Sequence, residues 1–370
     1  MKKSVLVLVA MALTVSLFIG CAKDSGTIKI AVVGAHSGDL ASYGLPTVKA
    51  AELVAEEWNK KGGLLGKQIE LVIEDDACKP EVAANSAAKV VGDGVVAVIG
   101  HICSGATKSA LGIYNEAGIP AISPSATNPP LTQSGNYPNF FRTIAPDDAQ
   151  AYTDSKFVAE VLGAKKVAIL HDKQDYGKGF ADFCMAALEE MGVETVLYEG
   201  ITVGGIDYSS VLTKVANTDA EALIFGGYHP EASKLVQQMT QRGISIPFVS
   251  DDGVKDDTFI QVAGEFAEGV YASGPMDTSD NPMYKKAVQD HIDAYSEDPG
   301  AFFINAYAAA TAMMNAIDKA GSTEGDAIMS ALRSEYVETP LGSISFDEKG
   351  DAIGVGFAVY QVQNGVYVEL

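Results

Sequence analysis

Val95-Val96-Ala97-Val98-Ile99-Gly100-His101-Ile102-Cys103-Ser104-Gly105 is an apolar run of strand length that breaks into glycine and small polar residues. A helix-period segment at 104–117 follows, and then a second apolar run, Ile119 to Ser123, which ends in Pro124-Ser125-Ala126-Thr127. A strand, a polar stop, a helix and another strand form the unit of a parallel sheet with crossover helices. Upstream, Ile28 to Gly34 and Ile69 to Ile73 repeat the unit, with helices at 45–61 and 80–91. A second series begins after Phe140. Its strands are Val167 to Leu170, Thr195 to Tyr198, Ala222 to Phe225, Phe248 to Ser250 and Val270 to Ala272, separated by helical stretches at 147–162, 177–191, 207–217 and 230–242.

Two series predict two lobes, as expected for 370 residues, a length at which a single core has stopped growing. The last hundred residues change character. Helical stretches at 282–296, 301–320 and 325–334 precede Ser343 to Phe346, and Asn364-Gly365 joins Phe357 to Gln361 with Val366 to Leu370 in a hairpin. This tail completes the first lobe and then caps the second. The fold class is therefore α/β, two doubly wound parallel-sheet lobes joined by a three-strand hinge. Residues 27–145 plus 276–353 make lobe 1, and 146–275 plus 354–370 make lobe 2. The crossings fall near Ala145-Pro146, Gly274-Pro275 and Gly354 to Gly356.

In open α/β sheets ligands sit at the carboxyl ends of the strands. The stops there are Gly100 to Gly105, Ser123 to Thr127, Asp175-Tyr176-Gly177, Gly227-Tyr228-His229-Pro230 and Ser250-Asp251-Asp252-Gly253. Drawn from both series, they read as the jaws of one cleft for a small polar ligand.

Lys2 and Lys3, an apolar run from Val5 to Ile19 and Gly20-Cys21 have the layout of a secretory signal, so residues 1–20 are expected to be cleaved. A membrane span is the alternative, but the run is shorter than the ~20 apolar residues a span needs. Leu17-Phe18-Ile19-Gly20-Cys21 resembles a bacterial lipobox, with Phe18 where an aliphatic residue is usual; it points to a lipid on Cys21 that tethers an extracytoplasmic protein to a membrane. The formal charge is −22, or −24 without Lys2 and Lys3, which argues against nucleic acid and against adsorption to anionic lipid. If the strands before Cys78 and Cys103 are neighbours, both thiols reach one sheet edge, and outside the cytosol a Cys78–Cys103 disulfide is the natural reading. Cys184, on a helix, reads as a buried free thiol. The sequence has no Cys-x-x-Cys, and its five histidines lack ligand spacing, so no metal or cofactor is expected.

Ser104 is placed to cap the helix that follows it, where unpaired N–H groups and the helix dipole favour an anion such as a carboxylate. A serine cap with no ligand, and a plain turn at Thr127-Asn128-Pro129, are equally ordinary readings of these residues. The wider pattern bears on that choice. Ala31-Val32-Val33-Gly34-Ala35, Tyr43-Gly44, Lys61-Gly62-Gly63, Asp75-Asp76-Ala77-Cys78, Gly100-His101-Ile102-Cys103-Ser104, His171-Asp172-Lys173-Gln174, Tyr176-Gly177, Gly226-Gly227-Tyr228-His229-Pro230-Glu231 and Phe346-Asp347-Glu348-Lys349-Gly350 occur in the order and spacing of a known family. From about residue 27 to 360 the chain resembles the extracytoplasmic leucine/isoleucine/valine-binding proteins of ABC importers.

The resemblance implies the type I periplasmic-binding-protein fold, no catalysis, an amino-acid ligand, a membrane permease as partner and a monomer. It assigns Ser104, Ala126 and Thr127 to the ligand α-carboxylate, with Ser125 and Thr127 also near the ammonium. Asp252 takes the acidic position that meets the ammonium from the other lobe, one methylene shorter than the family's glutamate. Tyr43, Ile102, Tyr176, Tyr228 and Phe302 form an apolar sleeve, although core packing explains such residues as well, Phe302 above all. The chemistry is sound without the resemblance, because a buried zwitterion needs donors at one end and an acceptor at the other.

Rival classes are weaker. Gly62-Gly63-Leu64-Leu65-Gly66-Lys67-Gln68 superficially resembles a P-loop, but it has the wrong glycine spacing, lacks the Ser or Thr and precedes a strand. Neither G-x-G-x-x-G before the first helix nor G-x-S-x-G is present. Within the same fold, an amide, urea or aromatic acid as ligand, or a role as a chemosensory receptor, stays open.

Overall fold

The structure is a computed structural model that describes residues 26–370. The expected leader and Cys21 lie outside the described residues.

The first part of the chain runs β1 (Ile28–Gly34), α1 (Ala41–Lys60), β2 (Ile69–Asp75), α2 (Pro80–Gly92), β3 (Ala97–Gly100), α3 (Ser104–Glu116), β4 (Ala121–Ser123), α4 (Pro130–Gln133) and β5 (Phe140–Arg142). These strands form one parallel sheet in the order β2-β1-β3-β4-β5. Both faces of this sheet are covered, so its central strands are continuous apolar runs rather than alternating ones. On one face Ile30, Val32 and Ile99 share a core with alanines of α1 and of α11 (Phe303–Ala320); on the other, Ala31, Val33 and Val98 meet α2 and α3. Each large aliphatic side chain buried here contributes about 1.5–3 kcal/mol. β5 is the strand of this sheet that the sequence reading lacks, because Phe140-Phe141-Arg142 is three residues long between turn-rich loops.

The second part runs α5 (Asp147–Lys156), β6 (Lys166–His171), α6 (Asp175–Glu190), β7 (Glu194–Gly200), α7 (Ser209–Ala216), β8 (Ala222–Gly226), α8 (His229–Gln241), β9 (Phe248–Ser250), α9 (Asp257–Ala263) and β10 (Tyr271–Pro275). The helix expected over 147–162 changes hand-hold at its end, residues 157–161 forming a wider π-turn. α10 (Pro282–Tyr295), α11 and α12 (Gly325–Ser334) then return to the first sheet. β11 (Val337–Thr339), β12 (Gly342–Phe346) and β13 (Ala352–Ile353) make a small antiparallel sheet, and β14 (Phe357–Gln363) and β15 (Val366–Glu369) form the Asn364-Gly365 hairpin. The second sheet has the order β15-β14-β10-β9-β8-β6-β7, parallel except where the hairpin pairs antiparallel on β10.

The chain passes between the sheets three times, at 143–146, after Pro275 and at 354–356. The last two crossings lie side by side, with the Met276 N–H donating to the Gly356 carbonyl at 3.1 Å. Both parallel sheets present their strand carboxyl ends to the space between the lobes, where Ala35, Tyr43, Ile102, Cys103, Tyr176 and Tyr228 form an apolar cluster of their own.

Candidate functional site

Lobe 1 contributes two loops, and its own polar groups hold both in place. In the first, which follows β3, His101 is fully buried between the Asp76 carboxylate (Nδ1 to Oδ2 2.6 Å) and the Tyr114 hydroxyl (Nε2 to Oη 2.9 Å). Cys103 is bonded to Cys78 with the two Cα atoms 5.5 Å apart, which ties this loop to the end of β2. Cys184 is buried and free. One expectation needs correcting: Cys103, not Ser104, precedes the first turn of α3, and Ser104 is its first helical residue. The Ser104 hydroxyl therefore does not cap the helix; it accepts the Asn128 N–H at 3.3 Å.

The second loop follows β4. The Ser123 hydroxyl accepts the N–H groups of Ser125 and Ala126 (3.2 and 2.9 Å) and donates to the His101 carbonyl, while Ser125 donates to the Ile102 carbonyl at 2.9 Å. Arg142, at the end of β5 and fully buried, donates to the carbonyls of Ala126 and Asn128 (3.2 and 3.0 Å), to the Thr132 hydroxyl (2.6 Å) and to Asp351 (2.5 Å). This arginine shapes the Ser125–Asn128 turn, a role nothing in the local sequence announces.

Lobe 2 presents acids. Asp252 follows β9 and is 2% exposed; its Oδ1 accepts the Tyr176 hydroxyl, and its Oδ2 has no hydrogen-bond partner among the described residues. The Tyr176 hydroxyl in turn accepts the Gly253 N–H at 2.9 Å. Burial pushes the Asp252 pKa up to about 6, against the pull of the Tyr176 hydrogen bond. The neighbouring Asp251 points elsewhere, accepting the Gly227 N–H at 2.9 Å, and burial followed by the Asp252 charge raises its pKa well above the usual carboxylate range.

Asp147, at the start of α5, is a site residue that the sequence reading missed. It is fully buried, neither carboxyl oxygen has a hydrogen-bond partner, and its N–H donates to the Thr127 carbonyl at 3.0 Å. Burial pushes its pKa up to about 8, against the pull of the nearby Thr127 hydroxyl and with the Asp252 charge adding to the rise. An acid in the first turn of a helix is commonplace, which is why sequence did not single it out. Both buried carboxyls are thus raised above the ordinary carboxylate range, Asp147 the further of the two.

The lobes meet across a small void lined by Tyr43, Ile102, Ser104, Ser125, Tyr176, Tyr228, Asp252, Gly253 and Phe302. Eight of the ten expected ligand residues are brought together there. Ala126 and Thr127 stand behind the lining, the Ala126 N–H already engaged by Ser123 and the buried Thr127 hydroxyl without a partner. The void is small, about 10 Å³. Its apolar wall is aromatic, with ring centroids 5.0 Å apart for Tyr176 and Tyr228, 6.0 Å for Tyr43 and Tyr228 and 5.7 Å for Tyr43 and Phe302. Around the void, direct contacts that bridge the lobes include Tyr43 hydroxyl to Gly253 carbonyl (2.5 Å), Lys108 to Asp175 (2.7 Å), Asn128 side chain to Asp175 carbonyl (2.8 Å) and Ser42 to His229 (3.3 Å). Among the described residues no group of three or more His, Cys, Asp or Glu could hold a metal, and no helix is long and apolar enough to cross a membrane.

Comparison with known proteins agrees with this geometry. A family described as periplasmic binding protein matches residues 27–366. The leucine-, isoleucine-, valine-, threonine- and alanine-binding protein of Pseudomonas aeruginosa is 39% identical over 351 residues, covering 95% of this chain and 94% of that protein. Among solved structures, a leucine-binding protein of Thermotoga maritima superimposes with a TM-score of 0.87 at 28% identity, over 93% of this chain and 98% of the other. The substrate-binding protein of a branched-chain amino acid transporter from Streptococcus pneumoniae, in complex with isoleucine, gives 0.82 at 32% identity, over 93% and 100%.

Proposed function

The chain belongs to the periplasmic binding protein family, and we propose that it captures a small aliphatic L-amino acid between its lobes and delivers it to an ABC import permease. The observation that carries this reading is the unpartnered Oδ2 of Asp252 facing, across one aromatic-walled void, the hydroxyls of Ser104 and Ser125. Lobe 1 donors take the α-carboxylate, Asp252 takes the ammonium, and Tyr43, Ile102, Tyr176, Tyr228 and Phe302 surround the side chain. The Thr127 hydroxyl turns toward the head group as the ligand enters, and Asp147 lies behind it. The void is smaller than the ~300–1,000 Å³ of drug-sized pockets, so a ligand of few heavy atoms wedges the lobes slightly apart and then holds them. Only the clamped form satisfies both charged ends, and a ligand shifts an equilibrium by its differential affinity for the two states.

In this reading the crossings at 143–146, after Pro275 and at 354–356 act as the hinge between lobe 1 (27–145 and 276–353) and lobe 2 (146–275 and 354–370). The protein is a monomer without catalytic activity. It is exported, cleaved before Cys21, held at a membrane by a lipid on that cysteine, and oxidised at Cys78–Cys103. Calorimetric titration of the mature protein with leucine, isoleucine, valine, alanine and threonine, beside a short-chain amide and benzoate, tests the ligand class. Heat and thermal stabilisation with an aliphatic amino acid are expected, whereas binding only the amide or the aromatic acid refutes it.

A further inference from the structure

Phe302 stands between two spaces. It lines the ligand void, and it also lines a second, far larger space between the lobes, about 590 Å³, which reaches the second crossing at Pro275 and Met276. Of the residues around the void, Phe302 and Asp252 are the two that border both. The other apolar walls are closed from behind: Tyr43, Ile102, Tyr176 and Tyr228 are buried, and the hydroxyls of Tyr43 and Tyr176 are tied to the Gly253 carbonyl and to Asp252. Phe302 is only partly buried and packs against this cluster, its ring centroid 5.7 Å from that of Tyr43.

The scaffold fixes where this ring sits. The Phe302 backbone lies at φ 58°, in the left-handed region that a bulky residue rarely occupies, and such a residue persists only where its surroundings hold it. Here its carbonyl accepts the Ala306 N–H at 2.8 Å and so opens α11, the long helix that packs on the first sheet. The ring is carried on the end of a rigid element, and a substitution that keeps Cβ changes the ring while leaving its mount in place.

We propose that Phe302 sets the length limit of the ligand side chain: its ring is the partition at which the pocket ends, and the space behind it is where a longer chain would otherwise run. The inference rests on the amino-acid reading above and adds to it the range of chains admitted. With the head group held by Ser104, Ser125 and Asp252, every ligand starts from the same point, and the distance to the Phe302 ring is what remains for the chain. Asp252, the other residue on both spaces, is committed to the ammonium. A chain of leucine length ends against the ring, and a longer unbranched one has to displace it.

A wall of this kind shows as a break in the rise of affinity with chain length. Calorimetric titration of the mature protein and of Phe302→Ala with L-alanine, L-norvaline and L-2-aminooctanoate looks for it. Each buried methylene is worth about fourfold in affinity, so the wild type is expected to bind norvaline about tenfold more tightly than alanine and 2-aminooctanoate at least about tenfold more weakly than norvaline. Phe302→Ala is expected to bind 2-aminooctanoate about tenfold or more tightly than the wild type does, and alanine, whose methyl ends short of the ring, within about threefold. Alanine binding also reports that the variant is folded and its head-group site intact. A wild-type affinity that keeps rising to 2-aminooctanoate, or a variant that binds alanine and still excludes the long chain, overturns the length limit and leaves the aliphatic reading standing. Loss of alanine binding in the variant shows that the ring serves closure rather than length and overturns it too. A wild type that binds none of the three overturns the amino-acid reading itself.

Discussion

The two rims of the cleft are built on opposite principles. On the lobe 1 side, the loops after β3 and β4 satisfy one another: Ser123, Ser125, His101 and Arg142 each spend their hydrogen bonds on neighbouring backbone or side chains, and the Cys78–Cys103 bond ties one loop down. On the lobe 2 side and at the first crossing, Asp252, Asp251 and Asp147 keep oxygens without partners although all three are buried. A buried polar group left unpaired costs about 1–3 kcal/mol, and more when charged. Lobe 1 is thus a fixed rim on which the Ser104 hydroxyl, an acceptor from Asn128, donates to no group among the described residues, and lobe 2 stores an unmet demand for a cation. A zwitterion fits both, because its carboxylate meets finished geometry and its ammonium relieves the demand.

Removing the post behind the lobe 1 rim is the strongest way to break this contrast. Arg142→Ala leaves Asp351 without its partner and two loop carbonyls without their donor; breaking a buried pair costs about 3–5 kcal/mol, read as a lower denaturant midpoint. Leucine affinity is expected to fall with it. A variant that loses stability but binds leucine normally shows that the loop is shaped by something else.

Next in size is the disulfide. Replacing Cys78 and Cys103 by Ser should lower stability by about 3 kcal/mol and weaken binding modestly, while Cys184→Ser, remote from the cleft, leaves binding unchanged. Recovery of Cys78 and Cys103 as free thiols in non-reducing peptide mapping of exported protein contradicts the pairing.

Smaller still, about 1.4 kcal/mol per pH unit for one group, is the proton linkage of the lobe 2 rim. Burial pushes the Asp252 pKa up to about 6 from 3.8 for an ordinary carboxyl. The folded state therefore binds protons more readily than the unfolded one, so this group makes the protein more stable as pH falls from 7 to 5. Asp147 and Asp251, also raised, act in the same direction. Leucine binding has the opposite sign, since the ammonium needs the ionised carboxylate, and should weaken as pH falls through about 6 with a buffer-dependent heat of proton release. Affinity independent of pH from 7 to 5 places the ammonium elsewhere.

The contrast also explains what sequence made legible. Strands such as Ile28–Gly34 and Ala222–Gly226 are runs buried on both faces, and such runs announce themselves. The polar stops after β3, β4 and β9 located the cleft for the same reason. β5 escaped because Phe140-Phe141-Arg142 is too short to carry a period. Asp147 and Arg142 escaped because their roles come from long-range packing: Arg142 reaches Asp351 across 209 residues, and Asp147 matters only where the crossing sets it beside Thr127. Ser104 was placed one position too early relative to its helix, since helix starts are uncertain by a residue or two.

Asp252 is the proposed acceptor for the ligand ammonium, and a thermodynamic cycle measures that role directly. Leucine and 4-methylpentanoate, the same molecule without its amino group, are titrated into the wild type, Asp252→Ala and Asp251→Ala. The wild type and Asp251→Ala should prefer leucine strongly, and Asp252→Ala should lose about 2–5 kcal/mol of leucine binding, the scale for one partner of a desolvated charge pair, while binding 4-methylpentanoate at least as well as before. Equal affinity of the wild type for the two ligands, or equal losses in the two aspartate variants, contradicts it.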